Sequence, residues 1–233
     1  MKIALLGYGK MGKTIEALAL AKGHQIVYKK GSDLEVGQLH MAEIAIEFSS
    51  PEVAVQNITL CIEHALPVVS GTTGWLENWD QIIKKCKASN GSFLYASNFS
   101  IGVNLFFMLN RYLATLMEPW NEYRPDVEEI HHTQKKDAPS GTAISLAEEI
   151  LKHSKKNHWE LEHKAPEILT IHAIREGDVK GTHTVRYSSP IDTLSIKHEA
   201  HSRDGFALGA IIAAEWLLGK KGVFSMNDVL DLK

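Results

Sequence analysis

The glycine-rich turn at residues 7–12 constrains this chain more than any other feature. Gly7-Tyr8-Gly9-Lys10-Met11-Gly12 follows the apolar run Lys2-Ile3-Ala4-Leu5-Leu6 and precedes a periodic segment, residues 14–21, that closes at Gly23. Strand, tight turn and helix in that order give each glycine a task. The first permits the turn, the second lets backbone approach a pyrophosphate, and the third allows close helix–strand packing. The start of the helix adds N–H donors and the positive end of its dipole. A plain glycine turn would account for the bend alone.

The rhythm that follows extends the turn into a fold. Strand-like segments at 2–6, 25–28, 44–48, 67–70 and 92–96 alternate with helical ones at 14–21, 51–64 and 76–89. Ser50-Pro51-Glu52 supplies an N-cap, an N1 proline and a first-turn acid, and Asn90-Gly91 stops the third helix. Apolar strands alternating with helices predict a Rossmann-type parallel sheet covered on both faces, an α/β architecture. Past residue 100 the order changes. An amphipathic stretch at 103–117, a strand to His132, a polar loop and a helix at 140–153 lead into a Lys/His/Glu-rich loop. Strand-like segments at 168–175, 182–189 and 192–199 follow, which predicts a second α+β domain with a mixed or antiparallel sheet. Residues 1–100 are thus expected to form a dinucleotide-binding domain completed by 206–233, with 101–205 as the second domain.

Composition excludes several classes. Lys+Arg 25 against Asp+Glu 28 leaves a formal charge of −3, without the global basic field that nonspecific nucleic-acid binding needs. The first apolar run ends at Gly7, too short for a signal-peptide core, and the C-terminal one is broken by Glu215. No export or membrane segment is expected, and cytoplasm is the default compartment. Cys61 and Cys86 lack CxxC spacing and lie in helical segments, where a thiol acts as a small hydrophobe. Among the twelve histidines, His131-His132 and His198-Glu199-Ala200-His201 lack the helix-borne HExxH pattern, so no metal is expected.

Candidate ligand contacts gather where the strands end. Tyr28-Lys29-Lys30-Gly31-Ser32 carries no carboxylate until Asp33. Lys29, Lys30 and Ser32 suit a 2′-phosphate better than a free ribose hydroxyl, or are simply solvated. Gly71-Thr72-Thr73-Gly74 and Ala96-Ser97-Asn98-Phe99 leave two further strands at the same edge, where open α/β sheets bind ligands. Phe99 is either a nicotinamide wall or core. The densest chemistry is Glu129-Ile130-His131-His132-Thr133-Gln134-Lys135-Lys136-Asp137-Ala138-Pro139-Ser140-Gly141-Thr142-Ala143. Ser140-Gly141-Thr142 opens a helix whose N-terminus can bind an anion, with Lys135 and two histidines upstream as cationic donors. His131 and His132 share one site only if the strand ends there, because neighbours on a strand face opposite ways.

That last stretch closely resembles the dihydrodipicolinate reductase family, and the resemblance runs almost end to end. It includes the GYGKMG turn, Gly71-Thr72-Thr73-Gly74, residues 96–104, Ile174-Arg175-Glu176-Gly177-Asp178, Gly181-Thr182-His183-Thr184 and residues 228–232. The resemblance implies His131 as catalytic histidine and Lys135 as proton donor, with His132, Ser140, Gly141 and Thr142 around the substrate carboxylates. It implies Gly7, Tyr8, Gly9, Lys10, Met11 and Gly12 at the pyrophosphate. Gly71, Thr72, Thr73, Ala96, Ser97, Asn98 and Phe99 would stand near the nicotinamide. NADPH is the preferred cofactor, with NADH as the other choice, because the acidic residue often found after the second strand is absent. The resemblance further implies reduction of 4-hydroxy-tetrahydrodipicolinate in the diaminopimelate and lysine pathway by a homotetramer assembled through the second domain. The competing reading is a nucleotide-sensing Rossmann module without catalysis.

Overall fold

In β1 (Lys2–Leu6) four consecutive residues, Ile3 to Leu6, are buried, as expected of a strand with parallel neighbours and helices on both faces. Its neighbours are β2 (Gln25–Lys30) and β4 (Ile44–Glu47), both parallel to it. The sheet extends through β5 (Val68–Ser70) and β6 (Ser92–Tyr95) to a short parallel strand β12 (Gly222–Phe224), and ends beyond β2 with the antiparallel β3 (Glu35–Gly37). On one face, Leu5, Ile46, Val69 and Leu94 pack with Ile15 and Ala19 of α1 (Lys10–Ala21) and with Ala210, Ile211 and Ala214 of α6 (Asp204–Leu217). On the other, Ala4, Leu6, Ala45, Val68 and Phe93 meet α2 (Pro51–Glu63) and α3 (Trp79–Ala88), and the free, buried Cys61 and Cys86 fill gaps there.

This computed structural model describes residues 1–232 and divides into two compact units. The first contains residues 1–101 and 204–232, the second Gly102–Arg203. The second unit holds a mixed sheet of β7 (Arg124–His131), β8 (His158–Leu161), β9 (Ile168–Arg175), β10 (Thr182–Ser188) and β11 (Thr193–Glu199), in the order β11-β10-β7-β9-β8. The central β7 is antiparallel to β10 and parallel to β9. Phe106 and Leu113 of α4 (Ile101–Met117) and Leu146 and Ile150 of α5 (Gly141–Lys152) cover Val127, Leu169, Ile171 and Val185.

Three details differ from the sequence expectation. α1 begins at Lys10 rather than residue 14, because the glycine turn is already wound into the helix start. Segments 168–175 and 182–189 are consecutive but flank β7 instead of pairing with each other. The edge strands β3, β8 and β12 are short and carry little apolar alternation, so only their pairing partners define them. Among the described residues no helix is long and apolar enough to cross a membrane.

Candidate active site

In the first unit a cleft of about 530 Å³ opens at the carboxyl edge of the sheet, beside β1 and β4, where the strand order reverses. Gly7, Tyr8, Gly9, Lys30, Gly31 and Ser32 line one side, and the loop after β4 with Gln56 and Asn57 the other. Gly7 sits at φ +101° with the Phe48 carbonyl where a Cβ would lie, and a Cβ on Gly12 would collide with the Gly7 carbonyl. Gly9 is different. A Cβ there would meet no protein atom within 4 Å, so the space its missing side chain leaves belongs to a ligand rather than to packing. The first turn of α1 carries no acid and no side-chain cap. Free N–H groups, open space and a positive dipole end fit the pyrophosphate of a dinucleotide.

Lys29 and Lys30 part company. Adjacent on β2, they face opposite sides. The Lys29 ammonium donates to Glu16 at 3.1 Å and lies 4.8 Å above the Tyr8 ring, so its charge is already met, and it does not line the cleft. Lys30 does line the cleft, where it makes a long 3.4 Å bond to Asn57 Oδ1. One ammonium, beside Ser32, is offered to a ligand there.

A residue that sequence reading passed over organises the neighbouring loops. Glu47, with no solvent exposure, accepts hydrogen bonds from the Ser70 hydroxyl at 2.6 Å, the Thr72 hydroxyl at 2.8 Å, the Ser49 N–H at 3.0 Å and the Ser49 hydroxyl. The Thr72 hydroxyl also accepts from Ser49 N–H, so Thr72 is a structural residue of the loop while Thr73 stands exposed beside it. Phe99 is 1% exposed and packs on Phe48 at 5.6 Å between ring centroids, which makes it core. Ser97 is exposed, and Asn98 Oδ1 accepts from Ser100 N–H.

The second unit gathers its polar groups by sheet register. Glu129 and His131 lie two apart on β7 and so share a face. His183 of β10 stands opposite Glu129, and Arg175 of β9 opposite His131. Glu129, fully buried, accepts from Arg175 Nη2 at 3.0 Å and from Ser140 N–H at 3.0 Å, and its Oε2 lies 3.3 Å from His131 Nδ1. Ser140 caps α5 by accepting from Ala143 N–H, and its hydroxyl also meets His183 Nε2 at 3.1 Å. Because β7 ends at His131, the chain turns there. His132, half-buried, accepts at Nε2 from Arg203, while the Lys135 ammonium donates to both oxygens of Asp137 at 2.8 and 2.6 Å. A Cβ on Gly141, at the start of α5, would again meet nothing within 4 Å. Glu129, Arg175 and His183 lie in segments the sequence singled out but were given no role there, and Arg203 lies in none of them; the two-residue spacing of Glu129 and His131 was the available signal.

Electrostatics sort these groups. Burial alone would raise the Glu129 carboxyl, but the hydrogen bonds from Ser140 and Arg175 outweigh it and hold it below the usual carboxylate value. Burial pushes His131 down, the Glu129 charge pulls it up, and Lys135 and Arg175 push it down further, with a net lowering. His183 falls from 6.5 to about 4, through burial and the neighbouring His131. Both rings are therefore neutral at neutral pH. The nitrogens of His131 and His183 and the Glu129 carboxylate lie within 4.8 Å of one another, a spacing a metal ion can use. That carboxylate is already engaged by a guanidinium and a helix-start N–H.

Two family models divide the chain almost where the fold does. The one described as dihydrodipicolinate reductase, N-terminus, matches residues 1–99, and the one for its C-terminus matches residues 102–230. The chain belongs to the dihydrodipicolinate reductase family. It is 53% identical over 233 residues to a protein of Christiangramia forsetii named 4-hydroxy-tetrahydrodipicolinate reductase, covering 99% of this chain and 98% of that one. A Lawsonia intracellularis protein of the same name is 33% identical, covering 95% of this chain and 96% of the relative. Among solved structures, dipicolinate-bound dihydrodipicolinate reductase from Paenisporosarcina sp. TG-14 matches with a TM-score of 0.78 at 19% identity, covering 98% of each chain, a likeness of fold. Dihydrodipicolinate reductases use a nicotinamide cofactor, and the glycine cradle of the first unit has the shape that cofactor needs. Nothing in these likenesses favours a module that only senses nucleotide.

Proposed function

We propose that this chain reduces 4-hydroxy-tetrahydrodipicolinate to tetrahydrodipicolinate with NAD(P)H, in the cytoplasmic synthesis of diaminopimelate and lysine. The observation that carries the proposal is the donor-rich end of β7 and start of α5, set in a chain that matches a reductase of that name along nearly its whole length. The first unit binds the dinucleotide through residues 7–12 and the loops after β5 and β6. The second binds the substrate.

The substrate is a dicarboxylate, and the cationic groups answer it. Free N–H groups of Gly141 and Thr142 at the start of α5, together with Lys135, His132 and Arg203, supply donors for its carboxylates. The nicotinamide supplies the hydride, which goes to ring carbon C4 of the dehydrated imine. Electron density then moves toward the ring nitrogen, and C3 takes up a proton. Neutral His131 is poorly placed to give one, so Lys135 is the donor, directly or through water, and His131 accepts and aligns. The Lys135 ammonium donates to Asp137, and that contact holds the Asp137 carboxyl below the usual carboxylate value.

Lys30 and Ser32 meet a 2′-phosphate, so NADPH is used at least as well as NADH. The chain assembles as a homotetramer through the second unit. Leu109, Tyr112 and Leu116 of α4 and Ile191 and Leu194 around β11 are exposed apolar groups that an isolated unit leaves in water. Light scattering at micromolar concentration tests this, and a monomer of 25.9 kDa would contradict it. The decisive assay follows NADPH absorbance with freshly generated substrate. Oxidation that depends on substrate supports the reductase, and tight NADPH binding without turnover supports a sensing module instead.

A further inference from the structure

The mechanism above leaves Glu129 without a task, although it sits fully buried behind His131. Removing an ionised carboxylate from water is costly, and an apolar side chain of similar size would fill the same place on β7. What the carboxylate adds is directional. An ionised carboxylate only accepts hydrogen bonds, so the imidazole nitrogen turned toward it carries the proton. That nitrogen is His131 Nδ1, which is buried and lies 3.3 Å from Glu129 Oε2, within ion-pair reach, but makes no hydrogen bond of standard geometry to any residue. The other nitrogen faces a gap. Gly181, at φ +148°, lies where a Cβ would stand 3.2 Å from His131 Nε2, and the absent side chain leaves that nitrogen uncovered. His183 backs the ring edge-on at 5.1 Å between centroids.

We infer that Glu129 is a positioning residue that holds His131 in the Nδ1–H form, with the Nε2 lone pair directed to the open side at Gly181. The effect on turnover rests on the reductase reading, whereas the tautomer does not. Charged or titratable groups reach His131 from every neighbouring element: Glu129 on its own strand, Lys135 and Asp137 on the following loop, Arg175 on β9 and His183 on β10. Glu129 is the carboxylate within ion-pair distance of its Nδ1.

The test reads the histidine directly, by nitrogen-15 NMR on NADPH-saturated protein. In the wild type His131 is expected as Nδ1–H, titrating below an ordinary histidine. Glu129→Gln should lower that titration further and move the proton to Nε2 in part of the population. It should cut kcat about tenfold to a hundredfold, as loss of a carboxylate orienting a functional histidine does, with NADPH affinity unchanged. Arg175→Gln should do the opposite to the titration, raising it, because one cation fewer faces His131 and the carboxylate charge is less shared. If Glu129→Gln fails to fold, the wild-type spectrum carries the test, and a His131 found there as Nε2–H overturns the inference. It is equally overturned by a folded Glu129→Gln with a wild-type tautomer, whether or not kcat falls. A changed tautomer in a chain that reduces no substrate would leave the inference standing and remove the reductase reading.

Discussion

Each unit buries a glutamate beside its functional edge, and the two are stabilised by opposite means. Glu47 at the end of β4 is surrounded by neutral donors: three hydroxyls and a backbone N–H from Ser49, Ser70 and Thr72. Glu129 on β7 is met by a guanidinium, a helix-start N–H and a histidine nitrogen. Hydroxyls on loops hold a carboxylate by geometry, so the Glu47 cluster fastens the loops after β4 and β5 to each other. Charged and titratable partners couple a carboxylate to proton movement, so the Glu129 cluster is a place where protonation states are set. Buried carboxylates thus serve as a fastening in one sheet and as an electrostatic control in the other, according to what their neighbours can donate.

The sharpest way to separate the two regions is to remove chemistry from the second alone. His131→Ala and Lys135→Ala are expected to lower kcat by ~10²–10⁴-fold, the range for loss of a general acid or base, while NADPH titration by fluorescence stays as in wild type. Near-wild-type turnover in both would show that the β7 end is not catalytic. The converse cut is Glu47→Ala, which leaves the buried Ser70 and Thr72 hydroxyls without their acceptor. A loss of about 3 kcal/mol in urea unfolding is expected, with weaker NADPH binding, because each unsatisfied buried group costs about 1–3 kcal/mol. A stability change within error would mean the loops hold without it.

A third measurement follows pH. His183 titrates near 6.5 unfolded and about 4 folded, so between those values the unfolded chain binds the proton more tightly. Stability should therefore fall as pH drops from about 6.5 to about 4, by up to about 3 kcal/mol from this one group, whose side chain is only 6% exposed. His183→Gln should flatten that limb in pH-dependent thermal melts; an unchanged slope would place the acid sensitivity elsewhere. Smaller still is the contrast on β2. Lys30→Ala should weaken NADPH against NADH by about tenfold, the worth of one partly solvated charge-assisted contact, and Lys29→Ala much less, since Glu16 already holds that ammonium. Equal effects would return Lys29 to the cleft. Thr142→Val should raise the substrate KM a few-fold with kcat kept, as for a contact equal in ground and transition states.

Much of this was legible before any coordinates. The Gly7 turn, the strand–helix rhythm and the stretch from Glu129 to Ala143 are local patterns, and local patterns are written in neighbouring residues. The period-two rule that cautioned about His131 and His132 applied equally to Lys29 and Lys30, and there the sequence held the answer unused. Phe99 was open between ligand wall and core until Phe48 was seen against it.

What the sequence by itself determined is therefore the fold class, the family and the glycine turn between β1 and α1. The tertiary structure alone decided which charges meet. Glu129 finds Arg175 and His183 because β7 lies between β9 and β10 in one particular register, although β9 and β10 are consecutive in the chain. Glu47 finds Ser70 and Thr72 because β4 and β5 run parallel and end together. Strand pairing is a long-range choice fixed by the burial of whole faces. A side chain whose partner lies forty or more residues away, as Arg175 does from Glu129, shows no local sign of the charge it will meet.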